Sequence, residues 1–173
     1  MSTKAPTVTT AASYRLFHSL DLTLEELGPA DAHRLARLIE ACSTESQYRR
    51  FHLGVGLVST RFARRVADLD GVTRIGYALV EPDGRLAAEF RLCRTAPAAA
   101  AEIAVLVRDD YQGQGLGTAI LTVLIQRARG LGITELHAEV LSGNRPMIGV
   151  LIRAGAVNIG YEGPLRHMLL TLT

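Results

Sequence analysis

The residues of this chain best placed to do chemistry lie in one stretch, Val105-Leu106-Val107-Arg108-Asp109-Asp110-Tyr111-Gln112-Gly113-Gln114-Gly115-Leu116-Gly117-Thr118. An apolar run ends in a short polar loop, and three glycines at alternate positions then open an amphipathic segment. Such a loop presents successive backbone N–H groups with the positive end of a helix dipole behind them, a receptor for phosphate or pyrophosphate. Glycine lets that ligand approach the backbone, where a side chain would hold it off. Two familiar phosphate loops do not match. A Walker A loop ends in Lys followed by Ser or Thr, and the single lysine of this chain is Lys4. The dinucleotide fingerprint puts its first glycine at the strand end. Here residues 108–112 intervene and Thr118 stands where a third glycine belongs, although Glu135 and Glu139 lie near the spacing of a ribose-binding acid.

The elements that must position this loop read as an alternating α/β order. Residues 22–26 form a short strand, and 31–41 a helix with Ala32, Leu35, Leu38 and Ile39 on one face and Pro29 near its start. Two short helices follow at 46–51 and 59–67, the second with Ser59 as its N-cap. Segments 73–80 and 85–94 flank the turn sequence Pro82-Asp83-Gly84 and predict a hairpin, with a small-residue connection at 96–100. Residues 102–107 are a central strand and 115–131 the longest helix, ended by Gly130 and Gly132. A strand at 134–141 runs parallel to 102–107 because a helix crosses between them. A helix at 144–154 and an antiparallel pair, 157–161 and 165–172, close the chain. The expected architecture is a mixed α/β fold, six or seven strands with helices on both faces. Residues 1–20, opening Thr/Ala/Ser-rich, read as a disordered tail and 21–173 as one domain.

What the loop does match is Q/R-x-x-G-x-G/A, supplied by Gln112, Gly115 and Gly117. Here the sequence resembles the GNAT family of acyl-CoA-dependent N-acyltransferases, in which this loop binds the coenzyme A pyrophosphate. The resemblance runs from about Asp21 to Ala156. Three more segments, Ser43-Thr-Glu-Ser-Gln-Tyr-Arg-Arg-Phe51, Ala101-Glu102-Ile103-Ala104-Val105 and Glu139-Val-Leu-Ser-Gly-Asn144-Arg-Pro-Met147, are similar to the catalytic domains of bacterial Pat-type protein lysine acetyltransferases.

The resemblance implies acetyl-CoA as co-substrate and no metal. It places the pantetheine arm along the strand, bonded to the backbone of Val105, Leu106 and Val107 as an added strand would be. The pyrophosphate falls to Gln112, Gly113, Gln114, Gly115, Leu116, Gly117 and Thr118. Asn144 holds the pantetheine surroundings, or is simply an N-cap, or both. Glu102 lies five residues before Val107, about 16 Å along an extended strand, where thioester and amine should meet. It is the expected general base, since an ammonium must lose a proton before it attacks; the plainer reading is a solvent-facing acid at a strand start. Many members carry a Tyr seven residues beyond the Asn to protonate the leaving thiolate. Here that position is Leu151, and a thiol leaves readily without such help. Tyr111 and Tyr161 are the tyrosines that could stand in, Tyr111 reading better as a packed loop aromatic. Gln114 replaces an Arg common inside the loop, and Ala156 an aromatic after Gly155.

For the acceptor, the Pat-type resemblance implies a lysine on a protein. A small-molecule amine is the alternative, and a non-catalytic acyl-CoA-binding module a third reading. No regulatory cyclic-nucleotide or synthetase-like module is visible. Asp68, Asp70 and Glu89 are candidate acids for a cationic acceptor. Arg49, Arg50, Arg61, Arg64 and Arg65 predict a basic rim over 43–69. A homodimer is among the partners open to the chain.

Bulk properties agree with a compact cytoplasmic enzyme. The chain has 173 residues, 48% apolar and 21% charged, with a net charge of +2, enough for one full hydrophobic core. Arginines interleaved with acids do not make a nucleic-acid face. No run is long enough for a membrane span, and the N-terminal residues lack the apolar centre of a signal peptide. Cys42 and Cys93 read as reduced thiols. His18, His33, His52, His137 and His167 show no metal-ligand spacing, and the alternation of Glu135, His137 and Glu139 reads as a polar strand face.

Overall fold

A computed structural model describes residues 10–52, 58–95 and 99–172. Seven strands make one mixed sheet: β1 (Thr23–Leu27), β2 (Arg74–Val80), β3 (Leu86–Thr95), β4 (Ala100–Val107), β5 (Glu135–Leu141), β6 (Val157–Glu162) and β7 (Leu165–Thr171). Their spatial order is β1-β2-β3-β4-β5-β7-β6, antiparallel except for β4 against β5. The helices are α1 (Ala11–Ser19), α2 (Ala32–Ala41), α3 (Thr44–Phe51), α4 (Thr60–Val66), α5 (Leu116–Gly130) and α6 (Arg145–Arg153). The mixed α/β architecture expected from the sequence is the one observed.

Two apolar layers sandwich the sheet. On one face the buried Ile120, Val123 and Leu124 of α5, Ile148 and Leu151 of α6, and Phe17 of α1 pack on Phe90, Ile103 and Leu136. On the other, Leu35, Leu38 and Ile39 of α2 and Val66 of α4 pack on Ala78, Val80 and Leu106. Both layers follow from residues spaced three and four apart on helices against alternating strand residues. Capping fixes the short helices. Ser43 Oγ accepts from Ser46 N at 3.2 Å and Ser59 Oγ from Phe62 N at 3.2 Å, the latter as expected.

The expectation of a disordered segment over residues 1–20 does not hold for its second half. Residues 1–9 lie outside the described residues, but Ala11–Ser19 is helical, with Thr10 Oγ1 accepting from Ser13 N at 3.1 Å. Its Ala/Ser composition hides an apolar side: Phe17 is buried, and Leu16 and Leu20 pack beside it. Ser13 Oγ donates to the Ala119 carbonyl at 3.4 Å. This helix therefore braces the first turn of α5. Residues 96–98 of the expected 96–100 connection also lie outside the described residues.

The feature that creates a site is a divergence. β4 and β5 pair through only Ala100↔Glu135, Ala101↔Leu136 and Glu102↔His137. Beyond that point β4 keeps its ladder with β3 as far as Val107↔Ala88, while its other edge, residues 103–107, has no strand partner among the described residues. A parallel sheet opened in this way offers backbone N–H and C=O groups to whatever enters the gap.

Candidate active site

The gap holds two adjoining cavities. The larger, about 410 Å³, runs from Val105 and Val107 along the glycine loop to α6. The smaller, about 140 Å³, lies at the Glu102 end, and Arg49, Arg50, Val105, Asn144 and Met147 border both.

In the loop, Gly113 (φ 74°) and Gly115 (φ 84°) adopt left-handed backbone, which L side chains disfavour. That turn aims the chain into α5 so that the N–H groups of residues 113–118 have no acceptor among the described residues. The last three belong to the first helical turn, which lacks intrahelical acceptors anyway. A run of unpaired donors at the positive end of a 15-residue helix favours an anion. Gly113, Gly115, Leu116, Gly117 and Thr118 all line the cavity. A Cβ on Gly117 would lie 3.6 Å from Val150 Cγ2, so a longer side chain there would fill the cleft between α5 and α6.

Side chains behind the loop hold it. Arg108, almost fully buried, donates to Glu81 at 2.8 and 2.9 Å and to Asp110 at 2.7 and 2.8 Å, and its guanidinium stacks 5.0 Å from the Tyr111 ring. Hydrogen bonding to Arg108 holds both carboxyls below their usual range. The Tyr111 hydroxyl donates to Glu81 Oε1 at 2.8 Å, as a packed loop aromatic would. Gln112 Nε2 donates to the Val107 carbonyl (2.9 Å) and Ser46 Oγ (3.0 Å), making its side chain a strut between β4, α3 and the loop. Gln114 turns away, donating to the Asp110 carbonyl at 2.8 Å, and does not line the cavity. Asp109 accepts from Ser43 N (2.8 Å), Ser43 Oγ (2.6 Å) and Ser46 Oγ (2.8 Å). Burial opposes its ionisation, but those bonds outweigh it and hold the carboxyl low.

On β4, Val105 and Val107 are half-buried along the open edge, while the Leu106 side chain is buried in the second core and leaves its backbone to the cavity. Asn144 is the α6 N-cap, its Oδ1 accepting from Met147 N at 3.3 Å, and it borders both cavities. Leu151 is 1% exposed in the core, so nothing at that position can protonate a leaving group. Tyr161 is exposed on β6 and borders neither cavity.

Glu102 lines the smaller cavity, exposed, with no hydrogen-bond or ion-pair partner among the described residues. Neither thiol offers a nucleophile. Burial pushes Cys42 up to about 12 and raises Cys93, which pairs across the strands with Glu102.

The three acids considered for a cationic acceptor, Asp68, Asp70 and Glu89, border neither cavity. Asp68 and Asp70 hold Arg74 and the turn before β2. Glu89 is 1% exposed, between Arg91 and Arg50. Arg50 correspondingly leaves the rim: its side chain is 12% exposed and 3.5 Å from Glu89, and burial pulls its guanidinium below the usual range against that attraction. Arg49 stays at the cavity mouth, paired with Glu45.

Sequence reasoning passed over two cations. Arg145 and Arg153 line the larger cavity with Gly149 between them, spaced four apart along one face of α6. That periodicity was readable, and the lining suits a polyphosphate. It also passed over Glu139 as a cavity residue, which lines the smaller chamber. Among the described residues no group of three or more His, Cys, Asp or Glu could hold a metal, and no helix is long and apolar enough to cross a membrane.

Residues 40–156 match the model of the acetyltransferase (GNAT) family. The chain belongs to that family. It is 31% identical over 131 residues to the acetyltransferase Pat of Mycolicibacterium smegmatis, covering 75% of this chain and 39% of that protein. The GNAT domain of S. lividans PAT superposes with a TM-score of 0.80 at 33% identity, covering 87% of this chain and 90% of that domain. A shorter match, 46% over 54 residues and 31% of each chain, is to an L-methionine sulfoximine/L-methionine sulfone acetyltransferase of Pseudomonas aeruginosa. The chain thus spans well under two-thirds of the Mycolicibacterium and Pseudomonas relatives.

Proposed function

We propose that this GNAT domain transfers an acetyl group from acetyl-CoA to a lysine side chain on a protein, by direct attack with Glu102 as general base. The observation that carries the reading is the unpartnered Glu102 carboxylate on the strand whose open edge leads to the anion-binding loop. Acetyl-CoA suits the chain's residues. Its pyrophosphate would take the N–H groups of residues 113–118, with Arg145 and Arg153 opposite. Its pantetheine amides would bond the edge of β4 at Val105 to Val107, with Asn144 beside them. The thioester then reaches the smaller cavity.

There the acceptor ammonium gives a proton to Glu102, directly or through one water. The amine nitrogen forms a bond to the acetyl carbonyl carbon, the C–S bond breaks, and the electron pair leaves as the coenzyme A thiolate. One of the two protons then on that nitrogen is lost, leaving the amide N–H, and the thiolate takes one up to leave as thiol. Thiols whose pKa burial raises, Cys42 and Cys93, support this single displacement over a covalent acyl-enzyme. The likeness to Pat over most of the chain supports protein lysine as the acceptor, and Arg49 at the mouth suits a lysine set among acids. The short match to the Pseudomonas enzyme favours a small amine as the second reading.

The test is thiol release from acetyl-CoA with the purified protein against a panel of folded proteins, lysine peptides and small amines, with mass spectrometry of the products. Acetylated protein lysine is the expected result. Efficient turnover of a free amine with no protein lysine modified above background would overturn the lysine reading. Absence of thiol release with every acceptor would overturn the acetyltransferase reading.

A further inference from the structure

Glu102 is not the sole carboxylate of the smaller cavity: Glu139 lines it from the opposite strand. The sheet register explains how. Glu102 pairs with His137, so the two share a face, and Glu139, two residues further along β5, lies on that same face. β4 and β5 have separated by then, which opens the space between Glu102 and Glu139 instead of closing it with backbone hydrogen bonds. Glu139 is half-exposed, and its one ion-pair partner among the described residues is His167 Nδ1 at 3.6 Å, opposite it in the β5–β7 ladder. That separation is too long for a hydrogen bond, so both carboxylate oxygens are free to accept. The nearby acids do not serve: Glu135 borders neither cavity, Glu89 is held by its arginines, and Asp109 by Ser43 and Ser46.

We propose that Glu139 is the acceptor-binding carboxylate of this site, drawing one primary ammonium into the smaller cavity and holding it for Glu102. The assignment rests on the acetyltransferase reading above and adds the acceptor's charge pattern. The two strands offer a pair of carboxylates to a single cation. The facing wall, α3, presents Arg49 at the mouth, and a second cationic centre a few ångströms along the acceptor would meet it. The class that fits is one terminal ammonium on an aliphatic stem whose surroundings are neutral or acidic, as in a lysine side chain. A polyamine does not fit it. Glu139 binds and orients, while Glu102 takes the proton, so the two residues act on different kinetic constants.

The experiment compares wild type, Glu139→Gln and Glu139→Asp in thiol-release kinetics with a lysine-bearing protein acceptor, alongside coenzyme A affinity by calorimetry and folding by circular dichroism. Glu139→Gln should raise KM for the acceptor about tenfold, the loss expected of one charge-assisted contact. kcat and coenzyme A affinity should stay within about twofold of wild type, and Glu139→Asp should recover part of the loss. With wild type, spermidine should turn over at least about tenfold less efficiently than the lysine acceptor, the scale of one repulsive contact. An unchanged acceptor KM in Glu139→Gln, with an active wild type, overturns the Glu139 assignment and leaves the acetyltransferase reading standing. So does a loss confined to kcat. Spermidine turned over as well as lysine overturns the charge pattern. A wild type that fails to release thiol with every amine offered removes the acetyltransferase reading, and this inference with it.

Discussion

At the loop end of the cleft nearly every side chain behind the backbone is tied. Arg108 is held by Glu81 and Asp110, Tyr111 by Glu81, Gln112 by Val107 and Ser46, and Asp109 by two serines of α3. The ligand-facing groups there are main-chain N–H donors whose positions follow from two left-handed glycines. At the other end the reverse holds. Among the described residues the Glu102 side chain has no partner and Glu139 has one at 3.6 Å, and both line the cavity from diverging strands with Arg49 and Arg50 of α3 across from them. A rigid backbone receptor suits a ligand that is the same in every turnover. Unpartnered side chains suit the proton transfer and the recognition of a variable acceptor, because their charge is not already spent on a neighbour.

That contrast breaks most sharply at Glu102. Replacing it with Gln should lower turnover by about 10² to 10⁴ while leaving acetyl-CoA affinity intact, the usual cost of a lost general base. The defect should shrink at high pH, where the amine is deprotonated without help. Rates and calorimetric affinities at pH 7 and pH 9 measure both. Full activity of the Gln variant at neutral pH would remove Glu102 from the mechanism.

The loop end should respond in the opposite sense, through binding. Gly117→Leu places a side chain in the cleft near Val150 without demanding a left-handed backbone. Each hydrogen bond to a charged phosphate that it displaces is worth about 1.5–3 kcal/mol, so acetyl-CoA affinity should fall by about 10- to 100-fold with the helical signal unchanged. Gly115 is the poorer probe, since its φ of 84° adds folding strain for any other residue. Calorimetry showing unaltered affinity in Gly117→Leu and in a bulky Gly115 variant would remove the pyrophosphate from this loop.

The same contrast explains what could be read in advance. The loop end is local: the run from Val105 to Thr118 carries a strand, a turn and a helix start within 14 consecutive residues, so its backbone geometry was legible before the fold was. The smaller cavity is assembled from α3, β4 and β5, the first and last more than 80 residues apart along the chain. Arg50 in sequence is one of several exposed-looking arginines, and only the packing of α3 on the sheet at β4 brings it beside Glu89 of the neighbouring β3. Glu139 in sequence belongs to a polar alternation, and only the parting of β4 from β5 gives it a cavity in common with Glu102. Helix α1 was missed for a related reason, because its apolar side has meaning only against α5.

Asp109 joins the two ends, since it fastens α3, a wall of the smaller cavity, to the loop. Asp109→Ala removes three hydrogen bonds to a carboxylate and should destabilise the protein by about 2 kcal/mol, seen as a lower urea midpoint. The pH sign follows from its lowered carboxyl pKa. Its contribution is complete above the unfolded value near 4 and is lost as pH falls through the lower folded value. The wild-type advantage over Asp109→Ala should therefore be flat from pH 7 to about 5 and narrow below about 4. An advantage that stayed constant to pH 2 would show that the carboxylate is not what holds α3.

The smallest effect belongs to the rim. Arg50 cannot report on acceptor recognition, because reversing its charge would set a second carboxylate against the buried Glu89 and unsettle the fold. Arg49 can: it borders the cavity, its side chain is 29% exposed, and its partner Glu45 is solvent-facing. An exposed charge contributes up to about 1 kcal/mol, and reversal counts it twice. Arg49→Glu should therefore lower kcat/KM about 5- to 20-fold for a folded protein whose target lysine lies among acids. A short uncharged amine should be affected far less. The difference should fade between 50 and 500 mM salt, since the Debye length falls from about 14 Å to about 4 Å over that range. Equal losses for both acceptors at every salt concentration would mean that Arg49 shapes the cavity rather than reading the surface around the lysine, and the basic rim would no longer distinguish a protein acceptor from a small one.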